Sequence, residues 1–116
     1  MYEYEARLLE GSRHPVYDAD TIKVGVDLGF GIYFNMGSCR LYGINAPEVR
    51  GDERERGIAA RDYVRNILMP LDKFVIRSHK HAKGKYGRYL IEVILPDGRN
   101  LNEMLVENGY AIKKEY

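Results

Sequence analysis

Cysteine is almost absent. Cys39 stands alone in 116 residues, which excludes an internal disulfide and suits a reducing compartment. Long apolar runs are absent too: none approaches the ~20 residues that a bilayer-spanning helix requires, so no membrane partner is expected. The first residues, Met-Tyr-Glu-Tyr-Glu, lack the apolar core of a secretory signal, which favours a cytoplasmic location. Surplus charge of one sign is missing as well. Lys and Arg number 18 against 17 Asp and Glu, a formal net charge of +1. A chain that relied on bulk attraction to phosphate would be more basic. Any contact with nucleic acid must therefore come from a local patch, and must be weak and salt-sensitive. Repeats, linkers and low-complexity segments are also lacking. Residues 1–116 are expected to form a single domain and a monomer, large enough for one core with little surplus.

What is present is a series of short strand patterns punctuated by turns. Tyr2 to Leu9 predicts a first strand, broken by Gly11 to Pro15. Thr21 to Val26 alternates, with Ile22, Val24 and Val26 on one face. The Gly-rich turn Asp27-Leu28-Gly29-Phe30-Gly31 returns the chain through Ile32, Phe34 and Met36, which predicts a hairpin. Gly37-Ser38 predicts a bend or bulge before Arg40. Cys39 falls in that strand and reads as a small core group rather than a nucleophile. Asp52 and Glu55 have the spacing of a capping box, and Gly57 predicts that the regular helix begins a turn later. Ala60, Tyr63, Val64, Ile67 and Leu68 follow helical spacing and should face the core, and Pro70 ends the run. Phe74 to Ile76 predicts a short strand. His79 to Lys85 predicts a basic loop in which His79 and His81 are solvent-exposed. Tyr89 to Leu95 predicts a further strand, and Pro96-Asp97-Gly98 a turn. Asn100 with Glu103 opens a short helix with Leu101, Met104 and Leu105 inward, and Gly109 is placed as its left-handed stop. Five or so strands, a helix between the third and fourth, and a late short helix suit a small closed α+β barrel.

The chemistry concentrates in Arg40 to Glu48, Arg-Leu-Tyr-Gly-Ile-Asn-Ala-Pro-Glu. Leu41, Tyr42 and Ile44 form strand, and Pro47, with no N–H to donate, ends the ladder. Arg40, Asn45 and Glu48 are thereby held at one strand end. A guanidinium grips phosphate, an amide oxygen ligates a hard cation, and a carboxylate takes a proton or holds a water. Upstream lies Asp18-Ala19-Asp20-Thr21, and downstream Lys85-Tyr86-Gly87-Arg88-Tyr89. Each also has an ordinary use. Asp18 and Asp20 suit a turn before a strand, Arg88 suits a cross-strand partner of Glu92, and the lysines suit a solvated loop.

These three pieces, in this order and at this spacing, resemble the staphylococcal (micrococcal) nuclease, or thermonuclease, family. That family shows Asp-Gly-Asp-Thr, then Arg-Leu-x-Gly-Ile-Asp-x-Pro-Glu, then Lys-Tyr-Gly-Arg. Ala19 departs from its usual Gly and Asn45 from its usual Asp. The resemblance implies a five-stranded OB-fold barrel with two packed helices. It also implies a calcium-dependent endonuclease that cleaves DNA and RNA with little sequence preference, favouring unpaired strands. By the same resemblance Asp20, Asn45 and the carbonyl of Ala46 bind calcium, and Glu48 orients or deprotonates the attacking water. Arg40 and Arg88 stabilise the anionic transition state. Lys85 and Tyr86 contact a flanking part of the substrate, and Asp18 and Thr21 lie just outside the metal ligands. Asn45 removes one negative charge and should weaken calcium binding. The alternative is a non-catalytic barrel that binds single-stranded nucleic acid or a protein.

Overall fold

The alternation of Thr21 to Val26 is realised as a strand with Ile22, Val24 and Val26 buried. Around it a computed structural model shows strands β1 (Tyr2–Leu8), β2 (Val16–Asp18), β3 (Thr21–Asp27), β4 (Tyr33–Leu41) and β5 (Ile44–Asn45). Helix α1 (Arg54–Leu68), strands β6 (Phe74–Lys83) and β7 (Tyr89–Ile94), helix α2 (Leu101–Glu107) and β8 (Ile112–Lys113) follow. The structure describes residues 2–11, 14–83 and 89–114, with backbone alone at 80–83.

Five strands form a closed ring. The order runs β1, β6, β7, β4, β3, and β3 pairs back onto β1 through Ala6 with Val26 and Leu8 with Val24. Neighbours in the ring are antiparallel except β4 and β7, which run parallel. This is the five-stranded barrel expected of an OB-fold, with α+β composition. Inside it Ile22, Val24, Leu41, Ile76, Ile91 and Val93 are fully buried, and Val64 and Leu68 of α1 and Leu101 and Leu105 of α2 close the core. Burying each such side chain stabilises the fold by about 1.5–3 kcal/mol before entropy is counted.

Several local signals are realised as expected. Val24 faces Gly37 but Gly25 faces Asn35, so Met36 is an extra residue and the return strand bulges where Gly37-Ser38 predicted. The Asn100 side chain caps α2 by accepting the Glu103 N–H at 3.2 Å. Gly109, at φ 77°, ends that helix, and the Tyr110 N–H returns to the Leu105 carbonyl at 2.8 Å.

Other elements differ. The Asp52–Glu55 capping box does not form: a single 3-10 turn, Gly51–Glu53, leads straight into α1, whose first residue is Arg54 and whose N-cap makes no side-chain bond. Gly57 lies inside the helix and is buried, so tertiary packing outweighs its propensity cost of about 1 kcal/mol. The basic loop begun at His79 is largely strand, because β6 continues to Lys83. The His79 ring stacks on Tyr42, with centroids 3.5 Å apart, and its Nε2 lies 2.8 Å from Glu92 Oε2 on β7. His79 is therefore a sheltered cross-strand residue rather than a solvent-exposed one. The side chain of His81 lies outside the described residues. The strands β2, β5 and β8, of three, two and two residues, carry no readable alternation.

Candidate active site

Asp18 pairs with Thr21, so β2 and β3 are joined by only two residues, Ala19 and Asp20. That tight turn pins Asp20 against the end of β4. Its backbone carbonyl accepts the Leu41 N–H at 2.8 Å, and its carboxylate Oδ2 accepts the Ala46 N–H at 2.9 Å. The residue is only 5% exposed. Arg40 faces Thr21 across β3 and β4, which brings its Nη2 within 3.4 Å of Asp20 Oδ2. The same nitrogen donates to Asn45 Oδ1 at 2.6 Å. Asn45 reaches back because the chain reverses at Tyr42-Gly43, where Gly43 takes φ 79°, a conformation costly for any residue with a Cβ. Pairing of Asn45 with Ile112 of β8 then holds it there.

The structure thus brings together Asp18, Asp20, Thr21, Arg40, Asn45 and Ala46. Negative charge is crowded at this point. Burial first, then the hydrogen bond and charge of Asp20, push the Asp18 carboxyl up to about 7. Asp18 Oδ1 and Arg40 Nε are buried without a hydrogen-bond partner among the described residues. A buried carboxylate oxygen left without a donor favours an added proton or cation. The donors on offer are hard oxygens: the Asp20 carboxylate, the Asn45 amide and the Ala46 carbonyl. Among the described residues no three His, Cys, Asp or Glu side chains form a metal cluster. Such a set fits a calcium ion whose shell is completed by water, and does not suit a soft metal. The Asn45 oxygen that Arg40 engages retains a second lone pair.

Glu48 lies three residues beyond Asn45, with its side chain exposed. Its backbone N–H donates to Glu53 Oε2 at 3.0 Å, a partner the sequence pattern does not announce. Lys85, Tyr86 and Arg88 lie outside the described residues. Cys39 is fully buried, and burial pushes its thiol up to about 12, so it is no nucleophile. A cleft of about 110 Å³ beside the cluster is lined in part by Asn45, Pro47, Glu53, Arg56 and Tyr110. Sequence reasoning also missed Asn102, which is buried and ties α2 to Tyr42 and β7. Its only signal was a polar residue among the apolar positions of a short helix.

Two comparisons bear on this geometry. A family model described as staphylococcal nuclease homologue matches residues 38–116, which takes in the Arg40–Glu48 stretch and leaves Asp18 and Asp20 outside. Endonuclease YhcR of Bacillus subtilis (strain 168) is 34% identical over 110 residues, covering 88% of this chain. The chain spans 9% of the length of that relative. With a five-stranded ring, a gathered Asp20–Arg40–Asn45 cluster and a family match over most of its residues, the chain belongs to the staphylococcal nuclease homologue family.

Proposed function

We propose that this chain is a calcium-dependent endonuclease that hydrolyses phosphodiester bonds of DNA and RNA with little sequence preference. The observation that carries the reading is the convergence of Asp20, Arg40 and Asn45 at one strand end, with Arg40 Nη2 bridging the other two. Family membership and the printed description of the relative as an endonuclease support it.

Asp20, Asn45 and the Ala46 carbonyl would hold calcium, which supplies positive charge to the phosphate and its leaving oxygen. Arg40 offers the phosphate a fixed, partly sheltered guanidinium, with side-chain exposure of 17%. Glu48, exposed on the adjoining loop, orients a water and takes its proton. The water oxygen bonds to phosphorus, the bond to the 5′ oxygen breaks, and a proton reaches that oxygen. A 3′-phosphate and a 5′-hydroxyl remain. The cleft beside the cluster is smaller than the 300 Å³ or so that encloses a small ligand. A substrate strand therefore lies along the surface, held by its phosphates. On α1 Arg56 meets Glu53, Arg61 meets Asp62 and Arg65 donates to the Val16 carbonyl, so this Arg-rich helix does not present a free row of donors to base edges, which suits an indifferent, monomeric cutter of unpaired strands. Arg88, Lys85 and Tyr86 complete the substrate contacts in this reading.

The test incubates the protein with single-stranded DNA and RNA, with calcium or with chelator. Cleavage in calcium alone, leaving 3′-phosphate ends, is expected. Glu48→Gln should lose about 100- to 10,000-fold in rate, and excess calcium should not restore it. A protein that binds single-stranded DNA yet leaves it intact at millimolar calcium is instead a binding module. The neutral Asn45, already engaged by Arg40, would then account for the loss.

A further inference from the structure

Glu48 stands on an irregular loop between β5 and the 3-10 turn, with its side chain in solvent. A carboxylate that aims a water needs a fixed backbone beneath it, since misplacement by about 1 Å can cost about 100-fold in rate. Two contacts fix this backbone. On one side the Glu48 N–H donates to Glu53 Oε2 at 3.0 Å. On the other, the Glu48 carbonyl lies against α1 at Gly57. A Cβ placed on Gly57 would fall 2.0 Å from the Glu48 oxygen, 2.4 Å from its carbonyl carbon and 2.8 Å from the Val49 nitrogen.

Gly57 is buried, whereas Arg54, Glu55 and Arg56 before it are exposed. Its backbone is helical, so no turn or left-handed conformation calls for glycine there. Glycine inside a helix is about 1 kcal/mol less favourable than alanine. Close approach of the Glu48–Val49 peptide is what accounts for it. We infer that Gly57 and Glu53 are positioning residues that clamp the Glu48 peptide from both sides and thereby fix where its carboxylate points. The inference rests on Glu48 being the group that handles the attacking water.

Any side chain at position 57 must push the Glu48 carbonyl away by more than about 1 Å to restore an ordinary contact of about 3.5 Å. Arg40, on β4, and Asp20, before β3, are held by other bonds. The clamp therefore acts on turnover rather than on substrate binding. Glu53 also meets Arg56 at 3.5 Å, but that pair is exposed and contributes little.

The experiment compares Gly57→Ala, Glu53→Ala and Glu53→Gln with the unaltered chain in cleavage of single-stranded DNA at saturating calcium. Amide hydrogen exchange at the Glu48 N–H is followed by NMR in parallel. Gly57→Ala should lower kcat about 100-fold, with KM within about twofold. Glu53→Ala should lower kcat about tenfold and speed exchange of the Glu48 amide. Glu53→Gln, which keeps an acceptor oxygen but also loses the Arg56 pair, should restore both. If Gly57→Ala fails to fold, the contrast between the two Glu53 variants decides. An unchanged kcat and unchanged Glu48 exchange in Glu53→Ala overturn the inference, as does a KM that rises in step with the loss of kcat. A wild-type chain that cuts nothing sinks the nuclease reading. The clamp is then judged by exchange alone: Glu48 exchange faster in Glu53→Ala than in the unaltered chain and in Glu53→Gln upholds it, and equal exchange in these three proteins overturns it.

Discussion

Replacing Asn102 by leucine should unfasten the turn that presents Asn45. Asn102 is 3% exposed and its side chain makes three bonds. Its Oδ1 accepts the Val93 N–H at 3.2 Å, and its Nδ2 donates to the carbonyls of Tyr42 at 2.9 Å and Ile91 at 3.0 Å. β4 leaves β7 just there: the Tyr42 N–H donates to Ile91 at 2.7 Å, and the chain then turns away at Gly43. The Asn102 amide takes the place of the missing strand along the rest of that edge. Leucine has a similar volume but supplies none of these bonds. The buried Val93 N–H loses its bond, the half-buried Tyr42 carbonyl loses one, and Ile91 keeps the bond from Tyr42. At about 1–3 kcal/mol for the buried Val93 N–H and about 1 kcal/mol for the half-buried carbonyl, the loss is about 2–4 kcal/mol. Added apolar burial offsets about 1 kcal/mol, leaving about 2. That is a sizeable share of the 5–15 kcal/mol or so typical of a domain. With a urea m-value of about 2 kcal/mol/M, the midpoint should fall by about 1 M. Asn102→Asp should be at least as damaging at neutral pH, because it turns a carboxylate toward two carbonyls. A urea midpoint unchanged in Asn102→Leu, or an Asn102→Asp protein as stable as the parent, would refute the reasoning.

Two further outcomes concern the charged cluster. Asn45→Asp restores a ligand charge with little change of shape, so the calcium concentration for half-maximal cleavage should fall, while the rate at saturating calcium changes less. A calcium titration with an unmoved midpoint rejects Asn45 as a ligand. The Asp18 carboxyl releases its proton near its ordinary 3.8 in the unfolded chain but at about 7 in the folded one. Between those values the folded chain binds more protons, so this group's stabilising contribution is complete below the lower value and is lost as pH rises through the upper. Calcium-free protein should therefore show a decline in thermal stability over that window that Asp18→Asn lacks, and identical pH profiles for the two would count against the burial of this carboxylate.

The candidate cluster is legible in the order of residues alone. Asp18, Asp20, Arg40, Asn45 and Ala46 stand in two short segments, and the fold brings Asp20 and Ala46, 26 positions apart, within hydrogen-bonding reach. The hairpin, the bulge at Gly37, the Asn100 cap and the Gly109 stop were legible too, because each depends on the conformational limits of a few adjacent residues. Tertiary structure decided the rest. The Ile44–Asn45 and Ile112–Lys113 strands are too short to carry a period, and they exist because they find one another. His79 reads as a loop residue until Tyr42 and Glu92 shelter it. Gly57 reads as a weak point in a helix until the Glu48 peptide occupies the space its missing side chain leaves. Asn102 reads as a polar intrusion until a strand edge loses its neighbour beside it. Propensity and turn chemistry act over a few residues and are written in local sequence. Close approach, sheltering and the filling of an open edge depend on segments far apart in the chain, and only packing brings those together.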